Sequence, residues 1–412
     1  MKNTAIKDKV DNKIGFKNIK NISSSILLNA LYRAAVINNM PVALWKEYGN
    51  NSIYCLVSLN DPEIKNVSFN SNDASFVFSP FDNNDSQNNF ILKKDILLDL
   101  NKRTIECTNE LNNEESNKID KFIQCFNQYL DNYIPVSYNS KQNFVPENNY
   151  TKEEFCNLVN KAINNIKSGR TKKIVVSRTK DIKIPEKFDI INFFEKLALK
   201  YNNAFVSLVN VPQIGTWIGA TPETLLKVTD QELLTMSVAG TQTNSGNLSK
   251  IKWSHKEIQE QRLVSEYIEY CFSQSGVTNY IEEAPHTLDA GKVVHLKTLF
   301  KYSSTNAKDI ADNFLKLMHP TPAVCGLPKK EAKSFLLENE IHNRKFYTGF
   351  LGTININQGV SELFVNLRCM QIKEDKAIIY VGCGITEDSI PENEWNETEM
   401  KAEVLLSVMN NE

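Results

Sequence analysis

The chain has no CxxC pair, no long apolar run, no excess of basic residues and no glycine fingerprint for a dinucleotide. With 47 Lys and Arg against 49 Asp and Glu the formal charge is −2, so neither a nucleic-acid-binding face nor a polybasic membrane anchor is expected. No apolar stretch approaches the roughly 18 residues needed to span a bilayer. The opening MKNTAIKDKV is charged and lacks the apolar core of a secretory signal. Eight cysteines, at 55, 107, 125, 156, 271, 325, 369 and 383, are scattered through apolar segments. They read as reduced, buried thiols of a cytoplasmic protein rather than as a disulfide framework or a zinc site. What is present, 41% hydrophobic and 23% charged residues over 412 positions, suffices for a large buried core in one or two domains.

Periodicity organises the chain without repeats or a long flexible linker. Residues 1 to about 20 are Lys/Asn-rich and are expected to pack loosely. Ile26, Leu27, Ala30, Leu31 and Ala34 recur at helical spacing and predict a helix over 23–37. From 40 to 150, short strand-like runs such as SIYCLVSL alternate with Asn/Asp/Ser-rich connectors such as NNDSQNN. The polar stretch NSKQNFVPENNYTKEEF is the candidate boundary, and Thr151 with Glu154 gives the next helix (155–166) a capping box. Beyond it come the strand KKIVVSR, a helix over 193–201, and the strand-like runs AFVSLVN, TWIGATPETLL and LLTMSVAGT. An amphipathic helix follows from about 251 to 272, with Val264, Ile268 and Cys271 on one side and Tyr267 beside them. The last third reads mostly as strands (TGFLGTININ, ELFVNLRCMQI, KAIIYVGCGI), then a closing helix after Asn393. The pattern predicts an α/β (α+β) fold, a single large domain of mostly antiparallel sheets flanked by helices. Residues 1–150 form its N-terminal part and 151–412 the part that carries the chemistry.

Glu257 and Glu260, like Glu394 and Glu397, stand three apart on helices, so each pair projects from one face. Two such pairs brought together offer hard oxygen ligands to magnesium; apart, they are solvated helix faces. Lys173 enters the apolar strand Ile174-Val175-Val176. It either snorkels to water or, in a closed pocket, serves as a general base. Glu223 in GATPETLL is either a carboxyl of raised pKa able to donate a proton or a helix first-turn carboxylate. Arg368 reads as a mid-strand residue interrupting the apolar run of LFVNLRCMQI, and a buried arginine there needs an anionic partner. Lys401, four residues after Glu397, lies on the same helical face as that glutamate. Gly240, Gly349, Gly352, Gly382 and Gly384 either let backbone N–H groups approach a ligand or make tight turns. His295 in VVHLKT suits a core histidine as well as a ligand contact. No one of these features identifies the chemistry alone.

In order, KIVVSR, GATPETLL, VAGT, HKEIQEQRLV, VVHL, HPTPAVCGLPK, RKFYTGFLG, VNLRCMQI, VGCGI and ENEWNETEMK resemble the chorismate-utilising enzymes. That family includes isochorismate, salicylate, anthranilate and aminodeoxychorismate synthases, and the resemblance runs from Lys173 to Lys401. It implies that Mg2+ is held by Glu260 and Glu397, with Glu257 and Glu394 acting through water. It also implies that Arg368, Tyr347 and backbone N–H groups around Gly382 and Gly384 hold the enolpyruvyl carboxylate of chorismate. Lys401 would support a carboxylate near the metal, and Thr241 and His295 would line the pocket. Lys173, where ammonia-using relatives carry another residue, and Ala239, where aminodeoxychorismate synthases place a lysine, point to water as nucleophile. The 319–326 segment resembles isochorismate synthases more than salicylate synthases. Gln261 departs from the family, whose metal glutamate is often followed by histidine.

The implied reaction is isomerisation of chorismate to isochorismate, with Lys173 as base and Glu223 as acid at the departing C4 hydroxyl. Such an enzyme serves menaquinone or siderophore biosynthesis, menaquinone being preferred. It needs no glutaminase subunit and is a monomer or homodimer in the cytoplasm. The rival readings are a salicylate synthase, an amination enzyme working with a glutaminase, and a non-catalytic chorismate-binding protein.

Overall fold

The computed structural model describes residues 15–83, 88–109, 111–138, 149–185, 188–289, 293–357, 359–373 and 376–409. The start of the chain to residue 14, most of the expected boundary (139–148) and part of the NNDSQNN connector (84–87) lie outside these residues.

Two ten-stranded antiparallel sheets dominate the described residues. The first runs in the order Gly326–Leu327, Lys173–Lys183, Lys376–Ile385, Cys369–Ile372, Gly215–Thr221, Phe205–Val211, Val42–Lys46, Ile53–Val57, Ile96–Asp99, Thr104–Cys107. The second runs Ile281–Glu282, Val293–Ser303, Glu232–Thr243, Thr224–Val228, Val360–Val365, Phe350–Asn357, Ser75–Ser79, Asn89–Lys93, Glu63–Lys65, with His286–Asp289 also on Val293–Ser303. Strands from residues 42–107 thus enter both sheets.

The pleat sends alternate residues to opposite faces, and the burial follows it. Between the sheets lie Trp45, Phe76, Phe78, Trp217, Phe346, Tyr347, Phe364 and Tyr380. Rings stack there, Phe78 on Phe346 at 4.0 Å and Phe205 on Phe364 at 4.2 Å. Each such buried aromatic contributes about 1.5–3 kcal/mol from its apolar area. The other face of the first sheet is covered by the helices Ser24–Ile37, Asn113–Asp131, Ile190–Lys200 and Pro391–Met409. That of the second is covered by His255–Gln274 and Ala307–Met318. In the strand Lys173–Lys183, Ile174 and Val176 face outward onto Lys152–Lys167 and Lys329–Asn339. Lys173 and Val175 therefore look the other way.

Helix Lys152–Lys167 carries the Thr151/Glu154 capping box that the sequence predicts. Five expectations are corrected. The run ELFVNLRCMQI is two strands in different sheets, Val360–Val365 and Cys369–Ile372, so Arg368 is not mid-strand but in the link between sheets. Glu223 starts no helix; with Pro222 it links Gly215–Thr221 of the first sheet to Thr224–Val228 of the second. The closing helix begins at Pro391, before Asn393, and the amphipathic helix begins at His255 rather than 251. Helices Asn113–Asp131, Ala307–Met318 and Lys329–Asn339 occupy regions read as strands and connectors.

Candidate active site

The two links between the sheets run side by side. Val365 N–H donates to Glu223 O (3.0 Å), Ala220 N–H to Arg368 O (3.1 Å) and Thr221 Oγ1 to Val365 O (2.6 Å). Gly219 permits this approach, because a Cβ there would stand 2.7 Å from Cys369 Cβ and 2.9 Å from Arg368 O. Where sheet pairing stops, a small cavity of about 70 Å³ opens. Its wall includes Glu223, Thr241, Glu260, His295, Tyr347, Arg368, Gly382, Gly384, Glu397 and Lys401, with Ala239 also on it.

Glu223 is buried, and that burial pushes its carboxyl up to about 7, against the pull of Lys173, Arg368 and Lys401. It therefore carries a proton over much of the range below neutrality. His295 is held neutral by burial, which lowers it to about 3, with Arg368 and Lys401 acting the same way. Its Nδ1–H donates to Gly240 O (2.9 Å), with Thr241 Oγ1 at 3.3 Å, which leaves Nε2 to accept from Arg368 Nη2 (3.3 Å). Arg368 has a left-handed φ of 50°, an arrangement that costs about 1–3 kcal/mol and collects at functional sites. Its Nη1 is buried with no hydrogen-bond partner among the described residues. A buried guanidinium donor without an acceptor calls for an anion. Tyr347 is buried beside Tyr380, and burial raises its hydroxyl.

Backbone donors join these groups. Gly382 and Gly384 stand opposite Ser177 and Val175, whose N–H groups go elsewhere, to Glu340 Oε1 (2.7 Å) and Cys325 O (2.9 Å). These pairs are therefore not hydrogen-bonded across the ladder, and the glycine N–H groups point to the strand's other edge. The neighbour on that edge ends at Cys369, opposite Tyr380. Lys401 Nζ donates to Gly382 O (2.8 Å) and pairs with Glu397 Oε1 (2.6 Å).

Lys173 is fully buried and does not line the cavity itself. Its Nζ lies 2.8 Å from Glu260 Oε1, and Glu260 faces the cavity. Both pass over Gly384, where a Cβ would meet Glu260 Oε1 at 2.4 Å and Lys173 Cε at 3.1 Å. Of the four glutamates expected around a metal, Glu260 and Glu397 share the cavity and Glu257 and Glu394 do not line it. Glu257 completes the capping box of its helix, accepting from Ser254 N–H (2.7 Å) and Gln242 Nε2 (2.8 Å). Glu394 is buried in the first turn of the closing helix. Among the described residues no three His, Cys, Asp or Glu side chains converge as a ready-made metal site. Two carboxylates on one cavity fit magnesium nonetheless, since that ion commonly takes one or two from the protein and completes its shell with water and substrate oxygens.

Sequence reasoning missed the support behind Lys173. Arg344 spans from Glu340 (Nε to Oε2, 2.8 Å) to Val324 O (2.8 Å) and Val175 O (2.6 Å), tying the 319–326 segment to the Lys173 strand. The i,i+4 spacing of Glu340 and Arg344 was the only local signal. Gln261 turns away from the cavity, its Nε2 within hydrogen-bond distance of Ser237 Oγ (2.8 Å), Ser265 Oγ (3.0 Å) and Thr298 Oγ1 (2.7 Å). It anchors the Glu260 helix to the second sheet.

This architecture and anion-ready cavity are those of a chorismate binding enzyme: the family model of that description matches residues 64–410, and the chain belongs to that family. Among individual relatives, isochorismate synthase MenF of Haemophilus influenzae is 30% identical over 262 residues, 62% of this chain and 60% of the relative. The vibriobactin-specific isochorismate synthase of Vibrio cholerae is 25% identical over 262 residues, 62% of this chain and 66% of the relative. The matched stretches thus span 60–66% of those relatives' length, less than two thirds. The structure of MenF, the menaquinone-specific isochorismate synthase from Escherichia coli, shares the fold with a TM-score of 0.77 at 20% identity, covering 94% of this chain and 92% of that one. No helix among the described residues is long and apolar enough to cross a membrane.

Proposed function

We propose that this protein is an isochorismate synthase that adds water at C2 of chorismate and expels the C4 hydroxyl. The observation that carries the reading is Glu223, a buried carboxyl protonated to about pH 7 on the wall of a cavity that also carries Arg368 and Lys401. Hydroxide is a poor leaving group, so the departing oxygen needs an acid, and Glu223 supplies the proton from its carboxyl. Lys173 Nζ, as the neutral amine, takes the proton of the attacking water and becomes the ammonium. Arg368, with its unpartnered Nη1, and the N–H groups of Gly382 and Gly384 receive the enolpyruvyl carboxylate. Tyr347 closes that side of the cavity, and neutral His295 orients the guanidinium through Nε2.

Glu260 and Glu397 would hold the magnesium ion, which when bound offsets the charge of the ring carboxylate. Ala239 on the cavity wall leaves no amine there to attack the ring, which supports water as the nucleophile. For the pathway the reading is menaquinone before siderophore biosynthesis, in keeping with the higher identity to MenF than to the vibriobactin-specific enzyme. A cytoplasmic monomer or homodimer without a glutaminase subunit completes the proposal.

Chromatography of the products from chorismate and magnesium tests it. Isochorismate alone is the expected outcome. Salicylate with pyruvate would make this a salicylate synthase, and an aminated product dependent on ammonia would make it an amination enzyme. Magnesium-dependent chorismate binding without turnover would leave a binding protein. Arg368→Lys is expected to raise KM by roughly 10–100-fold with a much smaller change in kcat, because a forked charge-assisted contact to a non-reacting carboxylate is lost. Steady-state kinetics decide it, and an unchanged KM would remove Arg368 from the carboxylate.

A further inference from the structure

Both carboxylates assigned to the metal are already held by lysines. Glu260 Oε1 lies 2.8 Å from Lys173 Nζ, and Glu397 Oε1 lies 2.6 Å from Lys401 Nζ. These contacts differ from ordinary surface pairs. Lys173 is fully buried, and Lys401 is tied in place by its bond to Gly382 O, so neither ammonium swings freely into water. A carboxylate in such a place needs a cation, and either the lysine or a divalent ion can provide it. Glu260 reaches Lys173 through a slot that exists because residue 384 has no Cβ: a methyl group there would stand 2.4 Å from Glu260 Oε1. In the same arrangement Glu260 lies between Lys173 and the cavity, so the lysine that must meet the attacking water is covered.

We infer that Lys173 and Lys401 are internal stand-ins for the divalent cation, competing with it for Glu260 and Glu397. Lys173 is thereby masked until the metal draws Glu260 away. This rests on the magnesium reading of the site and adds to it an exchange between two cations over one carboxylate. A substrate carboxylate in the cavity shifts the exchange toward the metal, because it adds an acceptor that only the metal can share with both glutamates. Magnesium binding is therefore weak in the free enzyme and strengthened by chorismate, and by linkage the reverse also holds.

The experiment is a calorimetric titration with magnesium chloride, without chorismate and then with chorismate in a Glu223→Gln background that does not turn it over. Lys173→Met, Lys401→Met and Gly384→Ala are each expected to bind magnesium without chorismate more tightly than their parent, by about tenfold. Gly384→Ala is the decisive variant, since it denies Glu260 its place beside Lys173 without changing any charge. Its φ lies outside the left-handed region, so the backbone tolerates alanine. Arg368→Met removes a cation from the same cavity that makes no ion pair among the described residues, and is expected to shift magnesium binding by far less than Lys173→Met. Affinity in Gly384→Ala equal to or weaker than the parent's overturns the competition, even if the lysine variants bind more tightly. Should Gly384→Ala fail to fold, equal shifts in Lys173→Met and Arg368→Met overturn it instead. If the parent binds no magnesium even with chorismate present, the metal reading itself falls and the exchange with it.

Discussion

Lys173→Met is expected to abolish isochorismate formation, lowering kcat by roughly two to four orders of magnitude, while chorismate still binds. Methionine keeps the length and apolar stem of the lysine, so the buried strand position is filled and only the amine is lost. The position is heavily fixed. Leu327 pairs with Lys173 across the ladder, Lys172 N–H donates to Leu327 O (2.6 Å), and Arg344 braces Val175 O one turn of the pleat away. Such bracing fixes the backbone from which the amine projects. Lys401, the ammonium that lines this cavity, is held by Gly382 O and Glu397. Product chromatography gives the rate, and calorimetry with chorismate gives the binding. Turnover within tenfold of the parent's would take the base role from Lys173.

Glu223→Gln is the second large effect, and it shows in two independent measurements. Turnover is expected to fall by roughly two to four orders of magnitude, because an amide cannot deliver a proton to the departing hydroxyl. In the parent, activity is expected to decline as pH rises above about 7, where the carboxyl loses its proton. Stability gives the second reading. The folded carboxyl titrates near 7 against an ordinary 4.5, so between those values the folded chain holds a proton that the unfolded chain has released. Parent stability is therefore lost as pH rises through that window. Glutamine has no such dependence, so the variant should gain about 3 kcal/mol on the parent above pH 7 and nothing below pH 4.5. His295, lowered to about 3, works with the opposite sign, costing stability as pH falls below 6.5, but it is common to both proteins and cancels in the comparison. Urea unfolding at pH 4 and pH 8 measures the difference. A constant gap between the two would mean that Glu223 is not buried as a carboxylic acid.

Local pattern made much of the fold readable, and its failures have particular causes. The helix Asn113–Asp131 announced itself through Ile119, Phe122, Ile123 and Phe126 at helical spacing and through an Asn112/Glu115 capping box. The Asn-rich connectors on either side obscure it. Ser254 and Glu257 likewise spell out a capping box, so the bond of Glu257 to its own helix start is legible in the sequence. The break at Arg368 was not visible. ELFVNLRCMQI is apolar nearly throughout, and no proline or glycine marks the point where the chain leaves one sheet for the other.

By itself the sequence determined the mixed class with antiparallel sheets and the family, through ten segments in a fixed order; that Lys173 faces inward while Ile174 and Val176 pack outward was decided by the tertiary structure. Tertiary structure alone decided that Glu223 and Arg368 both sit on links between sheets, where unpaired backbone leaves room for a cavity. It also decided that Glu260 rests on Lys173, and Glu397 and Lys401 beside Gly382. The physical reason is that periodicity reports which face of one element is buried, whereas a charge's partner and its pKa depend on what other elements bring within a few ångströms. Lys173 and Glu260 are 87 positions apart in the chain and 2.8 Å apart in space.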